Sequence, residues 1–567
     1  MNKKDVAHVL EEIAVLLELS GENPFKARSY ANVARQIEQA DEDVDVLVRE
    51  KRLRELKGVG EALEKKIEEL VTTGTLGYHQ KLRSTFPETL FELFGIPGLG
   101  AKRIKTLYED LGVRSLGELE YACGENRLLS LKGFGPKMQQ NVLDGIAFSK
   151  RHRGLHLFNA AWSEASRLKR HLSGDASVQR IEVAGSLRRR KEVVKDIDIL
   201  ASSKKATGLM SRFVEAEGIE RITAQGETKS SVLLESGLAA DLRVVTDEEF
   251  PYALHHFTGS KEHNVAMRQR AKDRGLKMNE YGLFRGEKSL PCKDETEIFA
   301  ALDLPFIPPE LREDMGELEA EALPTLVERG DLIGVFHCHT VYSDGLATVE
   351  QMADAAQQRG YAYIAIADHS QSAAYAGGLS PAAVEKQHKE IDKVNRSTKG
   401  IRVLKGIESD IRSDGSLDYE EAVLERFDII IASVHSKLTM TEDEATERIV
   451  RAVENPYTTI LGHPTGRLLL SREGYPLDME RVLDACRANR VAVEINANPH
   501  RLDLDWRHMK RAKEKGVKLC IAPDAHNPEG LDDVEYGLGI ARKGWLEAGD
   551  LLNCMDVKEL LAWRRSN

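Results

Sequence analysis

Residues 185–198 read GSLRRRKEVVKDID and contain the pattern that decides the central fold of this chain. A Gly-Ser turn with three arginines leads into a short β-branched stretch in which Asp196 and Asp198 stand two positions apart. Side chains two residues apart on a strand project to the same face, so both carboxylates can share divalent cations. Asp241, in another short apolar stretch, adds a third oxygen donor. Three such donors suit Mg²⁺.

The arginines of the turn favour a metal site over a simpler alternative. A D-x-D pair on a strand, taken in isolation, is more often an edge pair that faces solvent. Here the turn supplies Ser186 and Arg189, which we expect to hold the triphosphate of a nucleotide, Arg189 through its planar fork. Two ions held by three carboxylates stabilise the attacking and leaving oxygens of an in-line phosphoryl displacement. The stretch therefore predicts nucleotidyl transfer.

The first 150 residues contain one pattern three times, an apolar residue, a G-x-G turn and an amphipathic helical stretch. The paired glycines are Gly58 and Gly60, Gly98 and Gly100, and Gly133 and Gly135. Glycine permits a tight turn, and the amides at the following helix N-terminus can hold a phosphate oxygen. A single G-x-G is more often a helix cap, but three copies followed by lysines and arginines favour a clamp on the DNA backbone.

The charge of the chain is unevenly distributed. All 567 residues together carry a net charge of −12, and residues 316–567 hold 31 Lys and Arg against 42 Asp and Glu, a difference of −11. The first 315 residues are therefore nearly neutral and can present local basic faces to DNA. Six cysteines without a C-x-x-C pair, and no long uncharged apolar stretch, predict a reduced cytoplasmic protein that does not enter a membrane.

The last 240 or so residues alternate short apolar stretches with helix-length ones, which is typical of a parallel barrel with outer helices. Histidines and acidic residues follow many of the apolar stretches, beginning with His337-Cys338-His339 and ending with Asp524-Ala525-His526. A lone histidine is more often packed in a core, but this many donors at the rim of a barrel exceed what one ion can use. We expect two or three ions of zinc, manganese or iron, with Cys338 pointing into the core.

Several motifs of the first 315 residues together resemble the family X DNA polymerases. They are G-S-x-R-R at 185–189, D-I-D-I at 196–199, A-D-L-R at 240–243 and F-T-G-S at 257–260. The resemblance implies that Asp196, Asp198 and Asp241 bind the catalytic Mg²⁺ ions, and that Asp241 helps to deprotonate the primer 3'-hydroxyl. The substrate-binding positions it implies are Ser186, Arg189, Phe257, Gly259, Asn264 and Arg268. His256 and Lys261 replace an aromatic and an acidic residue of the family beside the sugar and base pocket.

The same resemblance points to one position in the N-terminal region. Lys66 matches the lysine with which the amino-terminal domain of the family cleaves a 5'-deoxyribose phosphate through a Schiff base. A lysine on a helix surface that contacts phosphate is the alternative, because nucleophilic attack needs a depressed pKa that a sequence cannot show. Lyase activity is therefore a further expectation for this chain.

Residues 332–567 resemble the polymerase and histidinol phosphatase superfamily, the PHP phosphoesterases. The metal ligands that the resemblance implies are His337, His339, Asp344, His369, Glu408, His435, His463, Asp524 and His526. We expect Asp368 to support the metal ligands rather than to bind a metal ion itself. The resemblance implies a distorted (β/α)7 barrel and phosphoester hydrolysis that depends on these ions.

We therefore expect a multidomain α/β chain. The predicted divisions are a lyase-like helix-hairpin-helix domain at 1–92, a second helix-hairpin-helix domain at 93–150, a nucleotidyltransferase α+β palm at 151–245, a thumb at 246–315, a linker at 316–331 and a PHP domain at 332–567.

The expected function is DNA-directed DNA synthesis across short gaps in repair, with 3'-5' exonuclease or 3'-end processing by the PHP domain. The expected partners are gapped or primed double-stranded DNA and deoxynucleoside triphosphates, and we expect a monomer. One alternative makes the PHP domain a small-molecule phosphatase or pyrophosphatase. Another makes it a structural module, which the complete set of donors disfavours.

Overall fold

The computed structural model describes residues 3–38, 40, 42–124, 126–152 and 154–565. The chain divides into two compact units, Met1–Arg153 and Gly154–Asn567. Within those described ranges, no helix combines the length and the apolar character needed to span a bilayer.

The first unit is helical. Its α-helices are α1 (Lys3–Leu19), α2 (Pro24–Glu38), α3 (Val44–Arg49), α4 (Glu61–Thr73), α5 (Gly77–Arg83), α6 (Ala101–Leu111), α7 (Leu116–Gly124) and α8 (Pro136–His152). One apolar core gathers residues between 6 and 76, and a second gathers residues between 90 and 146 together with Leu19. The helices are short and amphipathic, so most of their stability comes from these cores.

The three G-x-G turns have the same backbone form. Gly58, Gly98 and Gly133 have φ angles of 98°, 85° and 90°, a region that side chains other than glycine rarely adopt. Helices α4, α6 and α8 each begin directly after the second glycine of the pair. The predicted succession of turn and helix is confirmed in all three copies.

The second unit begins with the predicted palm. Its strands are β1 (His156–Leu157), β2 (Val178–Val183), β3 (Val193–Val194), β4 (Asp196–Ser203), β5 (Ile219–Gln225), β6 (Lys229–Leu234) and β7 (Ala239–Val245). Its helices are α9 (Phe158–Ser173), α10 (Gly185–Arg188) and α11 (Ala206–Val214). Five strands form a sheet in the order β2-β4-β7-β6-β5, in which β4 and β7 run parallel. Apolar residues of the strands alternate onto the face covered by α9 and α11.

The predicted thumb follows. It contains α12 (Phe250–Thr258), α13 (Lys261–Asp273), an antiparallel sheet of β8 (Lys277–Asn279), β9 (Gly282–Arg285) and β10 (Lys288–Leu290), and α14 (Glu295–Ala300). The segment 316–331, predicted as a linker, is packed against it. Glu317 is buried and its Oε1 lies 2.8 Å from His263 Nδ1, while Leu318 and Leu326 join the thumb core.

The remaining residues form a parallel, nearly closed barrel. Its seven strands are β11 (Gly334–Cys338), β12 (Tyr363–Ile366), β13 (Arg402–Asp410), β14 (Ile429–Ser433), β15 (Ile460–Leu461), β16 (Ala492–Asn496) and β17 (Leu519–Ala522), hydrogen-bonded in that order. A bridge between Cys338 and Ala525 links the two ends of the sheet. Strands such as IIIAS and LCIA are apolar on both faces because side chains fill the inside and helices cover the outside.

The barrel helices are α15 (Val349–Gln358), α16 (Pro381–Ser397), α17 (Glu421–Leu424), α18 (Glu442–Val453), α19 (Met479–Ala488), α20 (Trp506–Glu514), α21 (Val534–Lys543) and α22 (Val557–Arg565). Thr348 and Thr441 begin α15 and α18 with capping boxes. The strand order confirms the predicted seven-stranded barrel, and it brings the carboxyl ends of the strands to one rim.

Candidate active sites

Two neighbouring palm strands carry the three aspartates. Strands β4 and β7 are parallel, and their register places Asp198 opposite Asp241. Asp196 lies two residues before Asp198 on β4 and projects to the same side. The structure therefore places the three aspartates on one side of the sheet, and their role as metal ligands stays a prediction.

The electrostatics of the three aspartates favour a bound cation. Burial first, and then the charges of Asp196 and Asp241, raise the pKa of Asp198 to about 6. The pKa of Asp196 is also raised, by burial and then by Asp241. Lys229 Nζ lies 2.7 Å from Asp241 Oδ2 and neutralises one carboxylate. Like charges held this close in a partly buried place match the oxygen ligands of Mg²⁺.

The three carboxylates do not form a closed cage. Among the residues the structure describes, they are not one of the sets whose ligand atoms all lie within 4.8 Å of one another. Mutual repulsion and the pairing of Asp241 with Lys229 account for this open arrangement. A divalent cation would draw the carboxylates together by neutralising them.

Gly185 is required by close approach to the aspartates. Its φ angle is 63°, and a β-carbon there would lie 2.2 Å from Asp198 Oδ2. The glycine of the Gly-Ser turn therefore lets the turn pass directly against the carboxylate. Ser186, next in the turn, is half-buried.

Arg189 is largely enclosed by contacts with the thumb. Its Nε donates to Glu313 Oε1 at 3.0 Å, and its side chain is only 11% exposed. One terminal nitrogen donates to the carbonyl of Thr258, and a β-carbon at Gly259 would lie 3.1 Å from that same nitrogen. The structure thus brings Arg189 to the predicted sugar-binding turn. Its contact with a triphosphate stays a prediction.

The other predicted nucleotide positions lie on or beside α12 and α13. The Arg243 guanidinium stacks over the Phe257 ring at 4.4 Å. Asn264 Nδ2 donates to the carbonyl of His256 at 2.7 Å, whereas Arg268 is exposed on α13. Asn264 is therefore partly engaged in shaping the turn, and Arg268 is open to a partner.

The nine barrel donors converge at one rim, as the sequence predicts. Glu408 lies at the centre of the group, and four imidazoles approach its carboxylate to 3.2 Å or less. The distances from its carboxylate oxygens are 3.2 Å to His337 Nε2, 2.9 Å to His369 Nδ1, 3.1 Å to His435 Nε2 and 3.1 Å to His463 Nε2. Residues at the carboxyl ends of parallel barrel strands necessarily share a rim, which explains the convergence.

Three subsets of the donors place one ligand atom each within 4.8 Å of the others. They are His339, Asp344, His369 and His526; His337, His339 and Asp524; and His369, Glu408 and His435. His463 is connected to the third subset through Glu408, whose Oε1 lies 3.1 Å from His463 Nε2. Three overlapping subsets fit the expected two or three ions, and imidazole with carboxylate suits zinc, manganese or iron.

His339 supports the metal assignment independently. It is fully buried, yet neither ring nitrogen makes a hydrogen bond with any residue in the described part of the chain. Its Nε2 lies 3.3 Å from Asp524 Oδ1, and its Nδ1 lies 3.5 Å from Asp344 Oδ1. A buried imidazole without hydrogen bonds is costly, and coordination of a shared cation removes that cost.

The barrel site keeps its acids charged. Burial acts to raise the pKa of Glu408, but His435, His337 and His369 hold it well below its usual range. Burial also acts to raise the pKa of Asp524, but His337 and His339 hold it well below its usual range. Ionised carboxylates are the form that binds metal.

Two acidic residues that the sequence analysis missed support the ligands. Asp410 Oδ1 lies 2.6 Å from His435 Nδ1, and Glu494 Oε1 lies 2.5 Å from His337 Nδ1. Such carboxylates orient a ligating imidazole and raise its basicity. Glu494 was signalled by an acidic residue in the short stretch AVEIN, whereas Asp410 lies in the more polar stretch RVLKGIESD, which gave no such signal.

Asp368 and Cys338 lie where the sequence predicts. Asp368 accepts hydrogen bonds from the amide and hydroxyl of Thr340, at 2.8 and 2.6 Å. It therefore supports the loop behind the ligands. Cys338 is fully buried in the barrel core.

Lys66 lies in an aromatic pocket of the first unit. Its Nζ donates to the Tyr30 hydroxyl at 2.5 Å and lies 3.9 Å from the centre of the Tyr78 ring. Burial lowers the pKa of Lys66 from its ordinary value, while the Tyr78 charge opposes the shift. A lowered pKa is what a nucleophilic lysine needs.

Four family models match separate parts of the chain. A helix-hairpin-helix domain matches residues 1–76, and a SAM-like helix-hairpin-helix tandem matches residues 90–147. The DNA polymerase beta thumb matches residues 253–313, and the PHP domain matches residues 336–498. These matches agree with the observed helical unit, thumb and barrel.

Similar proteins extend this result to the whole chain. The DNA polymerase/3'-5' exonuclease PolX of Bacillus subtilis (strain 168) is 39% identical over 574 residues, which cover 100% of both chains. A probable phosphatase of Thermoanaerobacter sp. (strain X514) is 29% identical over 229 residues, 38% of this chain and 88% of that protein. The crystal structure of Leishmania infantum polymerase beta in a ternary P/T complex is 24% identical and covers 40% of this chain and 98% of that chain, with a TM-score of 0.26. Because the similarity to PolX runs through the palm, the thumb and the barrel alike, this chain belongs to the PolX family, the family X DNA polymerases with a C-terminal PHP domain.

Proposed function

We propose that this protein fills short gaps in DNA during repair and removes 3'-terminal nucleotides or blocked 3' ends at the barrel. The observation that carries the proposal is the presence of two separate clusters of metal donors in a chain similar to PolX over its full length. The palm cluster would extend a DNA strand, and the barrel cluster would remove nucleotides from its 3' end.

At the palm, Asp196, Asp198 and Asp241 would hold Mg²⁺, and Asp241 would help to take the proton of the primer 3'-hydroxyl. Ser186 and Arg189 would hold the triphosphate. The substrate positions Phe257, Gly259, Asn264 and Arg268 would hold the sugar and the minor-groove edge of the new pair. When bound, ions at the palm and the barrel supply charge stabilisation to phosphoryl transfer and lower the pKa of the attacking water in hydrolysis.

At the barrel, the nine donors would bind two or three ions of manganese, zinc or iron. Asp410 and Glu494 would orient His435 and His337 toward these ions. The rim at which the donors converge would receive the 3' end of the DNA.

The expected substrates are gapped or primed duplex DNA and deoxynucleoside triphosphates. The three glycine turns, each followed by a helix N-terminus, support contact with the DNA backbone. We further propose a cytoplasmic monomer, with the domain divisions at 92, 150, 245, 315 and 331 predicted from the sequence.

Two double variants test the proposal on one gapped duplex. Asp196→Ala with Asp198→Ala should abolish primer extension and leave 3' to 5' degradation, whereas His339→Ala with Asp524→Ala should do the reverse. Loss of an essential metal slows chemistry by orders of magnitude. Either reaction continuing at the wild-type rate in its own double variant would contradict the assignment.

A second function for the barrel is favoured by its similarity to probable phosphatases. The barrel would then hydrolyse small phosphate compounds or pyrophosphate. Product analysis separates the two functions, since deoxynucleoside monophosphates released from DNA indicate a nuclease and phosphate released from pyrophosphate indicates the alternative.

A lyase function is favoured by the pocket around Lys66. The contacts of its amine with Tyr30 and Tyr78, and its lowered pKa, fit a Schiff-base nucleophile.

A further inference from the structure

Helix α21 of the barrel ends against the palm and the thumb, which belong to the same unit. Lys543, its last residue, is 1% exposed. Its Nζ lies 2.5 Å from Glu313 Oε1 and donates to the backbone carbonyl of Arg189 at 3.0 Å. Burying an ammonium group is costly unless specific partners compensate it. These partners belong to the thumb and to the turn beside the palm aspartates.

The Glu313 carboxylate is shared between two cations. Its Oε1 accepts from Lys543 and also from Arg189 Nε, and the Glu313 side chain is 10% exposed. Arg189 in turn donates to the carbonyl of Thr258 and stands beside Gly259. A continuous chain of charged contacts therefore joins the barrel to the turn proposed to hold the incoming nucleotide.

The sharing leaves Arg189 only partly neutralised by Glu313, while the Glu192 carboxylate also acts on Lys543. Two cations face one carboxylate, so Glu313 neutralises Arg189 only in part and the guanidinium keeps its attraction for an anion. Without Lys543, Glu313 would pair with Arg189 alone and compete with a phosphate for it. The Arg189 backbone would also lose the ammonium group that fixes its carbonyl.

We infer that Lys543 is a positioning residue for nucleotide binding at the polymerase site, acting through Glu313 on Arg189. The inference rests on the proposed role of Arg189 as a triphosphate contact. A residue of the PHP barrel would then set the affinity of the polymerase for its nucleotide, independently of the barrel metal site.

Neighbouring contacts support a fixed junction. Trp506 Nε1 and Arg507 of the barrel both donate to the Glu192 carboxylate, each at 3.1 Å. The Lys543 ammonium also lies 4.5 Å from the centre of the Trp506 ring. Burial lowers the pKa of Lys543 to about 8, and Glu313 opposes the shift. The Glu192 carboxylate favours the protonated amine as well, after Glu313.

Single-nucleotide gap filling by the full-length protein with Mg²⁺ tests the inference, with KM for the nucleotide and kcat measured separately. We expect Lys543→Met to raise KM about tenfold and to change kcat little, because nucleotide binding is lost rather than chemistry. Lys543→Arg, which keeps the charge, should restore KM to within about threefold of the wild-type value. Lys513→Met is the matched control, since Lys513 pairs with Glu547 of the barrel.

The 3' to 5' degradation rate of each variant reports whether the barrel is intact. If Lys543→Met lowers kcat and degradation together, or leaves KM unchanged, Lys543 has only a structural role and the inference is wrong. If the Lys543→Arg variant does not fold, Glu313→Gln provides a second test of the inference. In the Glu313→Gln, Lys543→Met double variant no carboxylate competes for Arg189, so KM should rise less than in Lys543→Met alone, whereas an equal or larger rise would overturn the inference.

Arg189→Ala separates this inference from the proposed function. A wild-type protein that does not extend a primer would refute the proposed function, whereas an Arg189→Ala variant with unchanged KM would refute the triphosphate role of Arg189 and the inference that rests on it. A raised KM in Arg189→Ala beside an unchanged KM in Lys543→Met would refute only the role of Lys543.

Discussion

Gly185 and Asp198 approach so closely that a β-carbon on the glycine would lie 2.2 Å from the carboxylate Oδ2. The contact joins the turn that begins α10 to the strand that carries two of the palm aspartates. It places the turn with the proposed triphosphate contacts directly against one of the proposed metal ligands.

Gly185→Ala should lower the rate of primer extension by about a hundredfold or more. The added methyl group must displace the Asp198 carboxylate, and a misplacement of about 1 Å in an active site costs on the order of a hundredfold in rate. Pre-steady-state nucleotide incorporation measures the effect. The control is Gly208→Ala in α11, where a β-carbon meets nothing within 4 Å. Equal extension rates in the two variants would show that the close approach does not matter.

Asp410→Asn should weaken metal binding at the barrel by about tenfold to a hundredfold, because carboxylates behind a ligating imidazole have effects of that size. Asp410 Oδ1 contacts His435 Nδ1 at 2.6 Å, opposite the nitrogen that faces Glu408. Calorimetric titration of metal-depleted protein with Mn²⁺ measures the change. Asp414→Asn, in an exposed loop of the same segment, should bind Mn²⁺ like the wild type. Unchanged affinity in Asp410→Asn would remove that residue from the site.

Glu295→Gln should destabilise the protein at neutral pH by about 3 kcal/mol, the typical cost of breaking a buried pair. Glu295 contacts Arg188 at 2.6 Å and the fully buried Arg312 at 2.5 Å. Burial acts to raise the pKa of Glu295, but these arginines lower it from 4.5 to about 2.

The sign of the pH dependence follows from that lowered pKa. The stabilisation from ionised Glu295 is complete above about pH 4.5 and is lost as the pH falls toward 2. The difference in the free energy of unfolding between wild type and variant should therefore shrink over this interval in denaturant titrations. Glu385→Gln, which breaks an exposed pair with Lys389, should change stability little at any pH. A constant difference down to pH 3 would contradict the prediction.

Lys66→Ala should abolish borohydride trapping on DNA that carries a 5'-deoxyribose phosphate, because the trapped species is a Schiff base of the amine. Lys65→Ala removes the neighbouring exposed lysine, which pairs with Glu61, and should trap normally. Gel electrophoresis of the covalent complex gives the readout. Absence of trapping in the wild-type protein would exclude the lyase function.

The parts of the protein that the sequence predicted depend on local geometry. Alternation along one strand places Asp196 and Asp198 on one face whatever the rest of the chain does. The barrel donors follow successive parallel strands, so chain order alone brings them to one rim. The glycine turns before α4, α6 and α8 were predictable because few other residues adopt their φ angles.

The contacts between distant residues were not predictable in this way. Nothing in the sequence pairs Arg189 with Glu313, which follows it 124 positions later. Segment 316–331 resembles a linker in composition, yet Glu317 is buried against His263. In each case the buried charge pairs with a residue that is distant in sequence and that only the folded backbone brings near.

The sequence by itself determined the chemistry of this protein, namely three palm carboxylates, nine barrel donors and three glycine turns, because spacing of two on a strand and order along a barrel are properties of the local chain. Only the tertiary structure decided how the parts are coupled, through Lys543, Glu313 and Arg189 and through the approach of Gly185 to Asp198. The physical reason is that desolvated charges and close backbone contacts depend on which surfaces pack together in the folded protein. A local sequence pattern does not show which surfaces these are.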